Sequence, residues 1–180
     1  MTTVHGTPPP AHVVLVGMMA TGKTTVGRLL ADALARPLFD SDDQVEARAG
    51  RSVREIWRTE GEAAFRALEV EALADALDSP TPAVIAAAGG VVLSEENRAR
   101  LAGDDVTVVW LRCGPTRLLE RIRAAADTHR PLLDDDPEGT LERMHTERAP
   151  RYEEVADHVV DVEGMSPDEV AAAVLAVVRP

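Results

Sequence analysis

The nineteen basic residues of this 180-residue chain are eighteen arginines and one lysine, Lys23. That lysine lies in Gly17-Met18-Met19-Ala20-Thr21-Gly22-Lys23-Thr24, which fits G-x-x-x-x-G-K-[ST] at every fixed position. The chemistry this spacing serves is the gripping of a triphosphate. Glycines let successive backbone amides turn inward around phosphate oxygens. A helix opening at the lysine presents its N–H groups and positive dipole end to the same anion. Lys23 is expected to reach the β- and γ-phosphates and Thr24 to offer its hydroxyl to Mg²⁺. Ala20, Thr21, Gly22 and Thr25 would complete the ATP cradle. Ala20 stands where many such loops have glycine; alanine tolerates only part of glycine's backbone range but is too small to block the phosphates. The motif alone does not separate a GTPase, a motor, an ATPase and a kinase.

A second acidic element follows. Asp40-Ser41-Asp42 comes after the apolar Leu38-Phe39, at the end of an expected strand, and in α/β sheets ligands sit outside the carboxyl ends of strands. On an extended segment, carboxylates two residues apart point the same way. Asp40 could then support Mg²⁺ through water while Asp42 meets an acceptor hydroxyl. A solvated turn is the equal alternative, since Asp and Ser are common turn residues.

The elements that would position these groups alternate along the chain. Strands are expected at His12 to Val16, Pro37 to Phe39, Ala83 to Ala88, Val106 to Leu111 and Val159 to Val162. Between them, helical stretches are expected from Thr24, from Asp40 to Arg48, from a Ser52/Glu55 capping box, over Glu62 to Leu77, from Ser94 to Leu101 and from Pro115 to Ala125. Asp136-Pro137 should open another helix, which Pro150 kinks or ends. Ser166-Pro167-Asp168-Glu169 reads as a capping box with proline at the first helical position, opening a C-terminal helix. This alternation predicts one α/β domain, a mainly parallel sheet with helices on both faces, over residues 12–180 behind a loose tail of residues 1–11.

Composition narrows the function classes. A net charge of −12 argues against nonspecific nucleic-acid or acidic-membrane binding, and no apolar run reaches the roughly 18 residues of a membrane helix. The single cysteine, Cys113, follows an apolar run and is expected to be a small buried side chain. With no secretory signal, it favours a cytoplasmic location. The five histidines show no metal-ligand spacing. Trp57 and Trp110 are expected core anchors, with Trp57 alternatively flanking an acceptor site.

These motifs resemble the shikimate kinase family. The resemblance rests on Gly17 to Arg28, Phe39 to Asp42, Gly50 to Val53 with Ile56, Glu60-Gly61-Glu62, Phe65-Arg66 with Glu69, Gly89-Gly90, Thr128 to Leu133, and Arg148-Ala149-Pro150 with Tyr152. It runs over nearly the whole chain and in the family's order. It implies a P-loop kinase of nucleoside monophosphate kinase-like fold that phosphorylates the 3-hydroxyl of shikimate with ATP and Mg²⁺. By the same resemblance Asp42 contacts the acceptor hydroxyl and Asp40 supports the metal. Arg66 and Arg148 hold the substrate carboxylate, and Gly89, with Gly90 beside it, meets the substrate through backbone. Arg130 reaches the transferred phosphate from a lid over residues 124–139, and Arg123 lies near the adenine. Residues 42–78 form the substrate-binding helical segment. ATP and shikimate are the implied partners, with no nucleic acid or membrane, and a monomer is expected. Guanidinium groups suit this work because they fork onto carboxylates as lysine cannot.

Each arginine also has a plainer reading. Arg66 could pair with Glu62 or Glu69 on its own helix, Arg130 could form a surface ion pair, and Arg148 could cap the helix before Pro150. Two departures from the family pattern stand out. Ala88-Gly89-Gly90 replaces three glycines, so the Ala88 methyl either crowds the substrate or faces the core. The stretch around Gly164-Met165 lacks an arginine that some members place near adenine. A related kinase for another acceptor and a non-catalytic ATP-binding module are the alternatives.

Overall fold

The structure is a computed structural model, and it describes residues 12–125 and 136–179. The tail, residue 180 and the heart of the expected lid, Arg130 included, lie outside the described residues. Five strands form one sheet: β1 (His12–Val16), β2 (Leu38–Asp40), β3 (Ala83–Ala86), β4 (Val106–Arg112) and β5 (His158–Asp161). Their order is β2-β3-β1-β4-β5, and all four pairings are parallel. All five residues of β1 are buried although alternate side chains point to opposite faces, so both faces of the sheet centre are covered.

Seven helices connect and flank the strands among the described residues: α1 (Lys23–Leu34), α2 (Ser41–Ala49), α3 (Val53–Leu77), α4 (Glu95–Leu101), α5 (Pro115–Ala124), α6 (Pro137–Val155) and α7 (Pro167–Val178). Their starts follow the sequence. The side chains of Ser52, Ser94, Asp136 and Ser166 each accept a bond from a first-turn amide, and Pro115, Pro137 and Pro167 occupy the opening positions where a missing N–H costs nothing. Ser166 and Glu169 close a full reciprocal capping box. At Ser52 only the half of the box donated by Glu55 N is present.

Three expectations need correction. The helix of Asp42 begins at Ser41, so Asp40 and Asp42 are not consecutive same-side residues of an extended segment; Asp40 ends β2 and caps α2. β3 stops at Ala86, leaving Ala87 to Gly90 as a loop. Of the two outcomes expected at Pro150, a kink or an end, the end is ruled out, since α6 continues to Val155; the ring costs one backbone bond, and burial of Leu141, Met144, Arg148 and Tyr152 holds the helix together.

The main core packs β1, β3 and β4 against Val26, Leu30, Leu118, Leu141, Tyr152 and Val174. Fully burying each such aliphatic side chain stabilises by about 1.5–3 kcal/mol. A second, smaller cluster of Val45, Ile56, Phe65 and Ala72 joins α2 to α3. Its Phe65 ring lies against Arg66, described next. The strand order reverses at β1, and in doubly wound sheets that is where ligands bind.

Candidate active site

The turn after β1 needs three left-handed or otherwise positive-φ residues, Gly17 (φ 144), Ala20 (φ 61) and Gly22 (φ 99). At Gly17 a Cβ would stand 2.6 Å from the Leu111 carbonyl oxygen, so no other residue fits. Gly22 N-caps α1 without a side-chain partner, leaving the first amides of the helix for an anion. The Lys23 ammonium donates to the carbonyl oxygens of Gly17 and Met18, each at 2.9 Å. Thr21 is buried, and its hydroxyl closes the loop on Met18 O at 2.9 Å.

Beside the loop opens a cavity of about 250 Å³, lined by Met19, Ala20, Gly22 to Thr25, Asp40, Asp42 and Ala86 to Gly89. The Thr24 hydroxyl donates to Asp40 Oδ2 at 2.5 Å, and Asp40 Oδ1 accepts from Asp42 N at 3.1 Å. One carboxylate thus fixes the Thr24 hydroxyl and also places Asp42 on the first turn of α2. These oxygen donors fit Mg²⁺. No cluster of three or more His, Cys, Asp or Glu able to hold a metal occurs among the described residues, and Mg²⁺ in kinases leans on one or two protein oxygens, waters and substrate phosphates.

Gly89 closes the other end of the cavity, with Gly90 next to it in the chain. Arg148 is buried, 5% exposed, on α6. Its NH1 donates to Gly89 O at 3.1 Å, while its Nε is buried and finds no hydrogen-bond partner among the described residues. Tyr152, one turn further on, donates its hydroxyl to the same carbonyl at 2.5 Å and stacks on Trp110 with centroids 5.6 Å apart. Burial pushes the Tyr152 phenol well above its usual range, so it acts as a neutral donor. Arg66 crosses directly over Gly90, where a Cβ would lie 1.9 Å from its NH1. The guanidinium sits 5.8 Å from the Trp57 ring centroid and 5.4 Å from that of Phe65.

Arg66 is also held along its own helix. Glu62 Oε1 accepts from Nε and NH2 at 3.2 and 3.1 Å, and Glu69 Oε2 accepts from NH1 at 2.5 Å. Burial opposes the Arg66 charge, but the two carboxylates outweigh it and raise its pKa. Glu69 is itself buried, and desolvation raises its pKa despite the neighbouring Arg66, with Asp42 pushing the same way. The plainer reading of Arg66 is therefore present in the structure: the ion pairs fix the fork, and three of its five N–H donors are engaged.

Of the residues expected at the site, Lys23, Thr24, Thr25, Ala20, Gly22, Asp40, Asp42 and Gly89 line one cavity, and Arg66, Gly90 and Arg148 abut its Gly89 end. Ala88 is buried and borders the cavity. Arg123 is exposed on the last turn of α5, and Arg130 lies outside the described residues. Cys113 is buried, as expected. Trp110 is a core residue, whereas Trp57 is half-buried beside Arg66. Glu69 and Tyr152 enter the sequence reading only as motif residues, Glu69 also as a partner of Arg66, with no site role of their own, and Arg121 is not singled out. Glu69 had a signal, a carboxylate one turn after Arg66 inside an apolar helix face. Tyr152 and Arg121 act on carbonyls 63 and about 100 residues away; the motif around Arg148 marks Tyr152 but not its partner, and no local pattern marks Arg121. A larger hollow, about 670 Å³, lies at the far end of the sheet by Arg98, Asp104 and Asp157, away from the phosphate loop and without its convergent donors.

A family model described as shikimate kinase matches residues 19–179. The chain belongs to the shikimate kinase family. A shikimate kinase of Burkholderia lata is 45% identical over 154 residues, 85% of this chain and 82% of the relative. One from Thermobifida fusca is 43% identical over 158 residues, 88% of this chain and 89% of the relative. Among solved structures, shikimate kinase from Acinetobacter baumannii in complex with shikimate superposes with a TM-score of 0.87 at 33% identity, covering 95% of this chain and 93% of that one. A gluconokinase from Sinorhizobium meliloti, at 19% identity and a TM-score of 0.56, shares the fold alone. No helix among the described residues is long and apolar enough to cross a membrane.

Proposed function

We propose that this chain transfers the γ-phosphoryl group of ATP to the 3-hydroxyl of shikimate, giving shikimate 3-phosphate and ADP. The observation that carries it is the convergence of the phosphate loop with two arginines, Arg66 over Gly90 and Arg148 on the Gly89 carbonyl. Arg148 Nε and the two Arg66 N–H groups not engaged by glutamates are donors for the substrate carboxylate. That choice of groups favours an acidic acceptor over a neutral cyclitol.

Phosphoryl transfer is mainly positioning and charge neutralisation. The loop amides and Lys23 hold the β- and γ-phosphates in line with an acceptor hydroxyl beside Asp42. The acceptor oxygen bonds to the γ-phosphorus as the bridge to the β-phosphate breaks; the hydroxyl proton passes to an Asp42 carboxylate oxygen, and ADP leaves with the bridging oxygen. Thr24 and Asp40 would hold Mg²⁺, which supplies neutralisation of phosphate charge. Asp42 need not be a strong base if the transition state is loose. Arg130 in a lid over residues 124–139 would add a cation on the transferred group, and Arg123 would lie by the adenine.

A coupled ADP-release assay with a panel of acceptors tests the reading. Turnover with shikimate, and none with gluconate or neutral cyclitols, is expected, and chelation with EDTA should abolish it until Mg²⁺ is restored. Turnover confined to another polyol would replace shikimate as the substrate, and no turnover with any acceptor would leave only nucleotide binding.

A further inference from the structure

Arg121 takes no part in the chemistry above, yet it touches the phosphate loop from outside. It lies half-buried on α5. Its NH2 donates to Val162 O at 2.9 Å, just past the end of β5, and its NH1 reaches Thr21 O at 3.3 Å and Ala20 O at 3.4 Å. Val162 is fully buried and bonded to the end of β4 through its own amide, Val162 N to Arg112 O at 2.9 Å. The guanidinium is therefore anchored on the sheet and extended to the loop.

The consequence follows from the planarity of the peptide unit. In a trans peptide the C=O of one residue and the N–H of the next point in opposite directions. Drawing the Ala20 and Thr21 oxygens outward aims the Thr21 and Gly22 amides inward, where a phosphate would accept from them. The loop has reason to need such a hold. Ala20 sits at φ 61, a left-handed conformation that costs an L-residue with a Cβ and that glycine would adopt freely. That φ is set about the N–Cα bond, so the peptide after Ala20 can still rotate about ψ, and such a rotation would turn the Thr21 amide away from the anion. A permanent positive charge behind the loop also favours the triphosphate.

We propose that Arg121 is a positioning residue for the nucleotide: it locks the Ala20 and Thr21 peptides so that their following amides face the β- and γ-phosphates. This rests on the kinase reading above. It makes a residue about 100 positions downstream part of the ATP cradle.

The experiment compares wild type with Arg121→Met, which keeps the apolar stem, and Arg121→Lys, which keeps the charge and one reachable carbonyl. ADP affinity is read by titration calorimetry, and KM is determined separately for ATP and shikimate. Arg121→Met is expected to weaken ADP binding and raise the ATP KM about tenfold, the scale of one lost charge-assisted contact. The shikimate KM should stay within about twofold, and Arg121→Lys should fall between. Equal ADP affinity in all three proteins would overturn the proposal. So would parallel rises in both KM values with a fall in melting temperature, the pattern of general destabilisation. Should Arg121→Met fail to fold, Arg121→Lys decides by the same two ratios. If wild type itself binds no ADP, the kinase reading fails first; if it binds and the variants match it, only the role of Arg121 fails.

Discussion

Gly90 is a residue whose importance is the absence of an atom. The Arg66 guanidinium occupies the place a Cβ would take, 1.9 Å from NH1. A methyl there must push the guanidinium off its perch between Trp57, Phe65 and the two glutamates. Gly90→Ala is expected to raise the shikimate KM at least about tenfold, through loss of a charge-assisted forked contact, while the ATP KM stays near wild type; steady-state kinetics with each substrate varied in turn check this, and unchanged shikimate KM would count against Arg66 as a carboxylate fork. Glu69 gives a pH signature. Its folded pKa is raised, first by desolvation, so the native state holds its proton more tightly than the unfolded chain. Stability from this group therefore falls as pH rises from the ordinary carboxylate range through the raised value. The stability difference between wild type and Glu69→Gln, measured by urea unfolding across acidic pH, should decline over that window; a flat difference would mean Glu69 titrates normally.

At the scale of elements, α3 is two helices joined by Gly61, whose φ of 82 and ψ of −179 lie outside both helical regions. Nothing within 4 Å would meet a Cβ, so the demand is conformational, not spatial. Gly61→Ala should destabilise by about 1–3 kcal/mol, and Gly61→Asn should be no better, because asparagine's tolerance is for ψ near +45° and not for this combination. Chemical denaturation of both variants tests it; an asparagine rescue would show that the joint relaxes to an ordinary left-handed turn. The sequence made this joint partly legible: one helix reads from Ser52 and another from Glu62, with Gly61 between. It made the end of β2 illegible. Asp40 is at once the last strand residue and the cap of α2, and alternation cannot show where such a dual residue hands the chain from one element to the next. Contacts that join distant elements were equally hidden. Tyr152 ties α6 to the loop after β3, and Tyr152→Phe, which keeps the stack on Trp110, should raise the shikimate KM by severalfold by loosening Arg148, with kcat less affected; identical kinetics would reduce the hydroxyl to a packing detail.

Across the whole molecule, net charge sets a background against which the site works. At −12, the shell repels itself and both anionic substrates, while Lys23, Arg66, Arg121 and Arg148 gather at the carboxyl ends of the strands. Screening the shell with sodium chloride should raise the melting temperature by a few degrees. Sulfate at equal ionic strength should raise it further, because it also binds the loop amides of the folded state. Equal effects of the two salts would argue that the cradle holds no tetrahedral anion. The architecture itself was legible because alternating strands, caps and prolines agree with one another from His12 to Val178.

The Lys23 ammonium rests on two neutral oxygens of its own turn, Gly17 O and Met18 O, and it is the only side-chain amine in the chain. Nucleotide entry must trade those neutral oxygens for anionic ones. An acylating reagent therefore meets a solitary ε-amine, apart from the N-terminus, and the increment localised to Lys23 by fragmentation of the peptide ending at Arg28 becomes a built-in occupancy meter: ADP should suppress it in proportion to the fraction bound, with no engineered label.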